Sequence, residues 1–243
     1  MIVKICGTTS EDDALLAVAM GADMVGFVFA PSPRLIAPQQ AADIVKRLPR
    51  EIVSIGVFRN QAPQRVVEIA QGAGMGGVQL SGHETAEQTA WIRERVPLVI
   101  KGFAAGDDRV ARAADYKADI ILLDGANPGS GNVFDWALSS AVPQGLPLMI
   151  AGGLNPDNVA AAIASTHAWG VDVVTGVERS PGIKDPVKLM AFVANAKSAD
   201  PVAASRRPAP VPAAPDDPTR PAVDLDAAAE DEPGAGIYDW EDE

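Results

Sequence analysis

Residues 146–158 read LPLMIAGGLNPDN: an apolar run, two glycines, and an Asn-Pro pair of the kind that opens a helix. A run of this length with no polar face suits a strand buried on both sides, as parallel strands are. The segment that follows, NPDNVAAAIAST, has the apolar spacing of a helix. The stretch is therefore one strand–turn–helix unit, and the question is how often the chain repeats it.

Working outward, the same alternation recurs. The apolar runs are IVKIC (2–6), MVGFVFA (24–30), IVSIGVF (52–58), GGVQL (76–80), LVIKGF (98–103), DIILLD (119–124), LPLMIAGG (146–153) and VDVVTG (171–176). Helix-like stretches separate them, among them SEDDALLAVAMG, PQQAADIVKRLP, DRVARAADYK, FDWALSSAV and DPVKLMAFVANAK. Ser10 with Asp13 three residues on, and Pro38, Pro63, Pro156 and Pro186 near first turns, are helix-start signals. Eight strands alternating with eight helices predict a single α/β domain, a closed (β/α)8 TIM barrel. An open doubly wound sheet is the competing fold, but it calls for a glycine-rich turn after its first strand, and CGTTSED (6–12) is not one.

Apolar residues at 47%, charged residues at 21% and a mean hydropathy of +0.07 fit a globular protein with a large core. The charge is unevenly spread. Residues 200–243 hold twelve acidic and three basic residues, a net −9 of the chain's −12, which leaves −3 for residues 1–199. The same stretch contains eight of the twenty prolines and no periodic apolar face. It reads as a disordered acidic tail, so the expected organisation is a catalytic barrel over 1–199 and a tail over 200–243. A barrel of nearly balanced charge with an acidic tail argues against nucleic acid or an anionic membrane as partner. One cysteine forms no internal disulfide, and neither a signal-peptide pattern nor a membrane-length apolar run is present, so the expected location is cytoplasmic.

In a barrel the C-terminal ends of all strands converge on one mouth, where active sites sit. Cys6 ends the first strand, as a small buried hydrophobe or as a tunable base. Asp124 closes IILLD, where an acid after four apolar residues needs a role or a partner, if only that of capping loop amides. Strands one and six are not neighbours, so a thiolate and a carboxylic acid there would flank a substrate and suit coupled proton abstraction and donation. The turns through Gly152 and Gly153 after strand seven, and Thr175 and Gly176 after strand eight, are at the position where barrels bind phosphate through backbone N–H groups. Arg34, in the loop after strand two, is either a solvated charge or a fork for a carboxylate or phosphate.

KICG (4–7), GADMVGFVFAPSPR (21–34), IGVF (55–58), GVQLSG (77–82), LLD (122–124), GSGNVFDW (129–136), AGGLNPDNV (151–159) and the GVE, SPG and KD elements of 176–185 together resemble the phosphoribosylanthranilate isomerase family of tryptophan biosynthesis. The match is collinear from residue 2 to about 197, and the tail has no counterpart in it. The resemblance implies a (β/α)8 barrel that converts N-(5-phosphoribosyl)anthranilate into 1-(2-carboxyphenylamino)-1-deoxyribulose 5-phosphate by an Amadori rearrangement, without metal or organic cofactor. It implies Cys6 as general base, Asp124 as general acid, Arg34 on the anthranilate carboxylate, and the loops of Gly152, Gly153, Thr175 and Gly176 on the phosphate. Gln79 and Ser81, in the strand-four motif, are the remaining substrate-binding candidates.

That chemistry asks for a raised Asp124 pKa and a lowered Cys6 pKa, with Lys4 as the candidate cation if it points inward beside Cys6. The chain departs from the family pattern in three places. Ser81 stands where the family reads histidine, DGANPGSGNVFDW is a compact loop after strand six, and Val174 stands where serine is common. Two other readings follow from the residues. One is an isomerase of a related aminoribosyl phosphate, although the histidine-pathway barrels use paired aspartates where this chain has Cys6. The other is a scaffold that docks a protein partner through Ile237, Tyr238 and Trp240 at the end of the tail.

Overall fold

The structure is a computed structural model and describes residues 1–125 and 135–199. The tail, with Ile237, Tyr238 and Trp240, and most of the loop after strand six lie outside the described residues.

Eight parallel strands close into a barrel in chain order: β1 (Ile2–Ile5), β2 (Met24–Val28), β3 (Val53–Phe58), β4 (Gly77–Leu80), β5 (Val99–Ala104), β6 (Ile120–Asp124), β7 (Leu148–Ile150) and β8 (Gly170–Val173). β1 pairs with β2 on one side and with β8 on the other, with Lys4 opposite Asp172, and this closes the ring. The apolar runs have no polar face because each strand is covered twice. Alternate side chains such as Met24, Ile55, Ile100, Leu122 and Met149 fill the interior. The others, including Val3, Ile5, Val25, Phe27 and Val171, pack beneath the helices.

The helices are α1 (Glu11–Ala19), α2 (Pro38–Val45), α3 (Pro63–Gly72), α4 (Ala86–Arg93), α5 (Val159–Thr166) and α6 (Pro186–Ser198). Their starts follow local chemistry. The Ser10 hydroxyl accepts from Asp13 N, Thr85 and Gln88 form a reciprocal cap, and Pro38, Pro63 and Pro186 occupy first turns. A short antiparallel ribbon, β9 (Glu178–Ser180) and β10 (Ile183–Lys184), lies between β8 and α6.

Two expected helices are 3-10 segments instead. In Asp108–Tyr116 the backbone leaves the helical region at Arg112 (φ −113°, ψ 24°), and Lys117 ends the segment in the left-handed region. Trp136–Ala141 is closed off ahead of Pro143, which has no N–H to continue a helix. The helix expected at Asn155 or Pro156 begins at Val159, because the Asn155 carboxamide oxygen accepts from Asp157 N and Asn158 N and holds a turn there. Strand eight also stops earlier than expected, so Thr175 lies in a 3-10 turn, Thr175–Val177, rather than in the strand.

Candidate active site

The arc β6–β7–β8–β1 at the mouth of the barrel brings together Asp124, the Gly152–Gly153 turn, the Thr175–Gly176 turn and Cys6. Asp124 is the last residue of β6, and Cys6 follows β1 directly, its N–H donating to Val173 O on β8 at 2.9 Å. A cleft on the Asp124 side is lined by Asp124, Ala151, Gly152, Gly153, Leu154, Asp172, Val173, Val174 and Thr175. The two glycine-bearing loops touch each other, since the Gly176 Cα packs against the Leu154 carbonyl so closely that no side chain fits there. Gly152 has a φ of +82°, and a Cβ on it would stand 2.8 Å from Asp124 Oδ1. The strand-seven loop therefore approaches the acid as backbone. Asn158 Nδ2 holds this loop through Gly153 O at 2.9 Å.

Asp124 shows the capping contact and also the raised pKa that a proton donor requires. Its Oδ1 accepts from Gly125 N at 2.7 Å, which caps the loop. Its pKa is nonetheless raised from 3.8 to about 6, because burial disfavours the carboxylate and the Asp172 charge adds to the effect, against the Gly125 bond and Lys4. A carboxyl group at about 6 keeps its proton in mild acid and a minor share of it at neutrality, the form a proton donor needs.

Cys6 is 4% exposed, seated against Gly26 of β2, where a Cβ would lie 2.7 Å from its sulfur. The expectation of a depressed thiol pKa is not met. Burial pushes the Cys6 thiol up, the Asp172 charge adds to this, and Lys4 and Lys184 pull against it without reversing it. Lys4 does point inward beside Cys6, fully buried, but its ammonium donates to Asp172 Oδ1 at 3.0 Å, which spends much of its field. Burial alone would lower Lys4, yet Asp172 and the Cys6 sulfur outweigh it and leave its pKa raised.

On β4, Gln79 is buried and points its Nε2 to Ser81 Oγ at 3.0 Å, while its Oε1 is buried without a partner among the described residues. An unpaired buried acceptor is costly, so this atom is a ready contact for a hydroxyl or N–H of a ligand. Arg34 is no solvated charge. Its side chain is 11% exposed and grips Glu178 through Nε to Oε1 at 3.2 Å and Nη2 to Oε2 at 2.7 Å.

Asp172, Glu178 and Lys184 are the charged residues at the mouth that the sequence analysis did not single out. Asp172 carried the same signal as Asp124, an acid inside an apolar strand. Glu178 and Lys184 are paired with partners 144 and 178 residues away, Arg34 and the Cys6 carbonyl, which no local pattern reveals.

The family model for N-(5'-phosphoribosyl)anthranilate isomerase matches residues 3–195. A relative from Desulforudis audaxviator that carries that enzyme's name is 45% identical over 205 residues, covering 82% of this chain and 98% of the relative. Among solved structures, the phosphoribosyl anthranilate isomerase of Thermus thermophilus superposes with a TM-score of 0.78 at 39% identity, over 82% of this chain and all of that one. Another such isomerase, solved in complex with reduced 1-(o-carboxyphenylamino)-1-deoxyribulose 5-phosphate, superposes with a TM-score of 0.72 at 40% identity, again over 82% of this chain and all of that one. With the barrel and mouth described above, these matches establish that the chain belongs to the N-(5'-phosphoribosyl)anthranilate isomerase family.

Proposed function

We propose that the protein isomerises N-(5-phosphoribosyl)anthranilate to 1-(2-carboxyphenylamino)-1-deoxyribulose 5-phosphate in tryptophan biosynthesis, with Asp124 as acid and Cys6 as base. The observation that carries the assignment of roles is the carboxyl group at the mouth with its pKa raised to about 6, on the same arc as the chain's single thiol.

The chemistry runs in two proton transfers. Asp124 gives its proton to the furanose ring oxygen as the C1–O bond breaks, and the anilino nitrogen supplies the electron pair that forms the C=N⁺ bond. The C2 hydrogen beside that cation is acidic. Cys6 removes it as the C1=C2 bond forms and the nitrogen recovers its pair, and the enolamine then tautomerises to the ketose. The thiol is held protonated in the free protein by burial, and the iminium charge arising beside it favours the thiolate at the step that needs it.

Around the reacting carbons, the proposal gives Arg34 the aromatic carboxylate, Gln79 and Ser81 contacts to the substrate, and the loops of Gly152, Gly153, Thr175 and Gly176 the phosphate. The close contact of the two glycine-bearing loops at the mouth supports the phosphate seat. A free thiol that must stay reduced goes with a cytoplasmic location.

The test follows the loss of anthranilate-type fluorescence when purified protein meets freshly made phosphoribosylanthranilate, alongside Cys6→Ala and Asp124→Asn. Rapid loss in the parent protein and none in either variant is the expected result. Turnover that survives Cys6→Ala would remove the base assignment.

A further inference from the structure

Two buried charges, Glu178 and Lys184, and the half-buried Arg34 form one connected group at the mouth, outside the proposed proton transfers. Glu178 Oε2 accepts from Arg34 Nη2 at 2.7 Å, and its Oε1 accepts from Arg34 Nε, Lys184 Nζ and Gly182 N, each at 3.2 Å. Lys184 Nζ also donates to Cys6 O at 2.6 Å. The Arg34 stem runs along the backbone just after Cys6, since a Cβ at Gly7 would lie 3.2 Å from Arg34 Cγ and Cδ. A chain of charge-assisted bonds thus links the arginine fork to the backbone of the proposed base.

A guanidinium can hold a carboxylate along either of two edges, the one formed by Nε and Nη2 or the one formed by Nη1 and Nη2. Glu178 takes the first. Among the described residues Nη1 has no partner, so the second edge stays open. The charges allow it to attract an anion. Arg34 and Lys184 are cations and Glu178 is one anion, leaving the trio with a net positive charge. Glu178 stays ionised: burial works against its charge, but Arg34 and Lys184 hold its carboxyl below the usual range.

From this geometry we infer that Glu178, braced by Lys184, is a positioning residue that fixes Arg34 so that its open edge meets the substrate's aromatic carboxylate at a set distance from Cys6. The inference rests on the reading of Arg34 as the carboxylate grip. An arginine already locked loses little rotamer freedom when it binds, and the gain is felt only by ligands that carry the carboxylate. The opposite view makes Glu178 a competitor that the substrate displaces. The two views differ in sign, because loss of a competitor tightens binding whereas loss of a brace weakens it.

The experiment measures calorimetric binding of two stable probes, reduced 1-(o-carboxyphenylamino)-1-deoxyribulose 5-phosphate and its counterpart without the carboxylate. It compares the full-length protein with Arg34→Met and Glu178→Gln, whose amide can accept one bond from the fork but presents an N–H₂ to the other. The parent protein should prefer the carboxylated probe, and Arg34→Met should lose that preference. Glu178→Gln should reduce it about tenfold or more, with unchanged affinity for the other probe and a KM that rises more than kcat falls. An unchanged or increased preference in Glu178→Gln, with Arg34→Met impaired, overturns the inference alone. No preference in the parent protein, or one that Arg34→Met retains, overturns the reading of Arg34 and the inference with it. Should the amide variant not fold, Glu178→Asp keeps the charge but withdraws it by one methylene. A partial loss of preference then supports the brace, and parent-like preference overturns it.

Discussion

Lys4 and Asp172 stand opposite each other on β1 and β8 and meet inside the barrel, ammonium to carboxylate at 3.0 Å, with neither side chain appreciably exposed. The pair sits between the proposed base and the proposed acid and acts on both. The Asp172 charge raises the pKa of Cys6 and of Asp124, and the Lys4 charge lowers both. Neither residue is therefore an inert filler of the barrel interior, since a change in one shifts the proton affinity of both proposed catalytic groups at once.

Removing one partner should be far worse than removing both. Lys4→Met leaves the Asp172 carboxylate buried without its cation, and such breaks cost about 3–5 kcal/mol. In urea unfolding, Lys4→Met alone should lose stability on that order, and Lys4→Met with Asp172→Leu should recover most of it. A single variant within about 1 kcal/mol of the parent would mean that water or another group replaces Lys4 at no cost.

The pH dependence of kcat/KM should carry the signature of an acid that titrates below its base. Asp124 must be protonated and titrates at about 6, while Cys6 must be ionised although burial holds its pKa above the ordinary 9.0. The active form is then a minor one between the two values, and kcat/KM rises through about pH 6 and falls on the alkaline side. An acid limb at an ordinary carboxylate value, near about 4, would show that Asp124 is not the group that sets it.

Asp124 should also weaken the fold at neutral pH. Because its folded pKa is raised from 3.8 to about 6, the native state binds the proton more tightly than the unfolded state does. Stability therefore falls as pH rises from the lower value through the higher, by on the order of 3 kcal/mol. Asp124→Asn keeps the oxygen that accepts from Gly125 and abolishes the charge. It should melt higher than the parent at about pH 8 and close to it at about pH 4, while losing turnover. Equal melting at both values would indicate that the carboxylate is well solvated.

The strands were legible because burial on both faces leaves a run such as IILLD with no polar position except the one that reaches the mouth. The same logic located Asp124 and would have located Asp172 in GVDV, had its apolar neighbours been weighed alike. What the pattern did not convey was termination. DRVARAADY has helical spacing, yet Asp107 grips both the backbone and the guanidinium of Arg109, and the segment winds as a 3-10 helix. The electrostatics were least legible of all. The Cys6 environment depends on Lys4, Asp172 and Lys184 together, and the last two reach it from the far end of the sequence.

The proposed phosphate seat can be tested at its tightest point. In Gly152→Ala a side chain would have to adopt a φ of +82° and stand 2.8 Å from Asp124 Oδ1. The strand-seven loop must shift, at a cost of about 1–2 kcal/mol for the left-handed conformation alone. Inhibition by inorganic phosphate and by ribose 5-phosphate should weaken together with the KM for substrate. Weakened turnover with phosphate inhibition unchanged would place the phosphate elsewhere.

Truncation after Ala199 tests whether the barrel is complete without the acidic segment. Lys197, in the last turn of α6, donates to Met1 O at 3.1 Å and pairs with Asp23 at 2.5 Å, so the end of the barrel is tied back to its beginning before the tail starts. Residues 200–243 carry a net −9, and such a charge would repel an anionic substrate if it lay over the mouth. The truncated chain should keep its melting temperature within about 2 °C and its kcat/KM within about twofold at low and high salt alike. A kcat/KM that rises on truncation, and rises most at low ionic strength, would instead assign the tail an electrostatic role at the active site. Loss of complexes from a lysate with turnover unchanged would assign Ile237, Tyr238 and Trp240 a role in docking a protein partner.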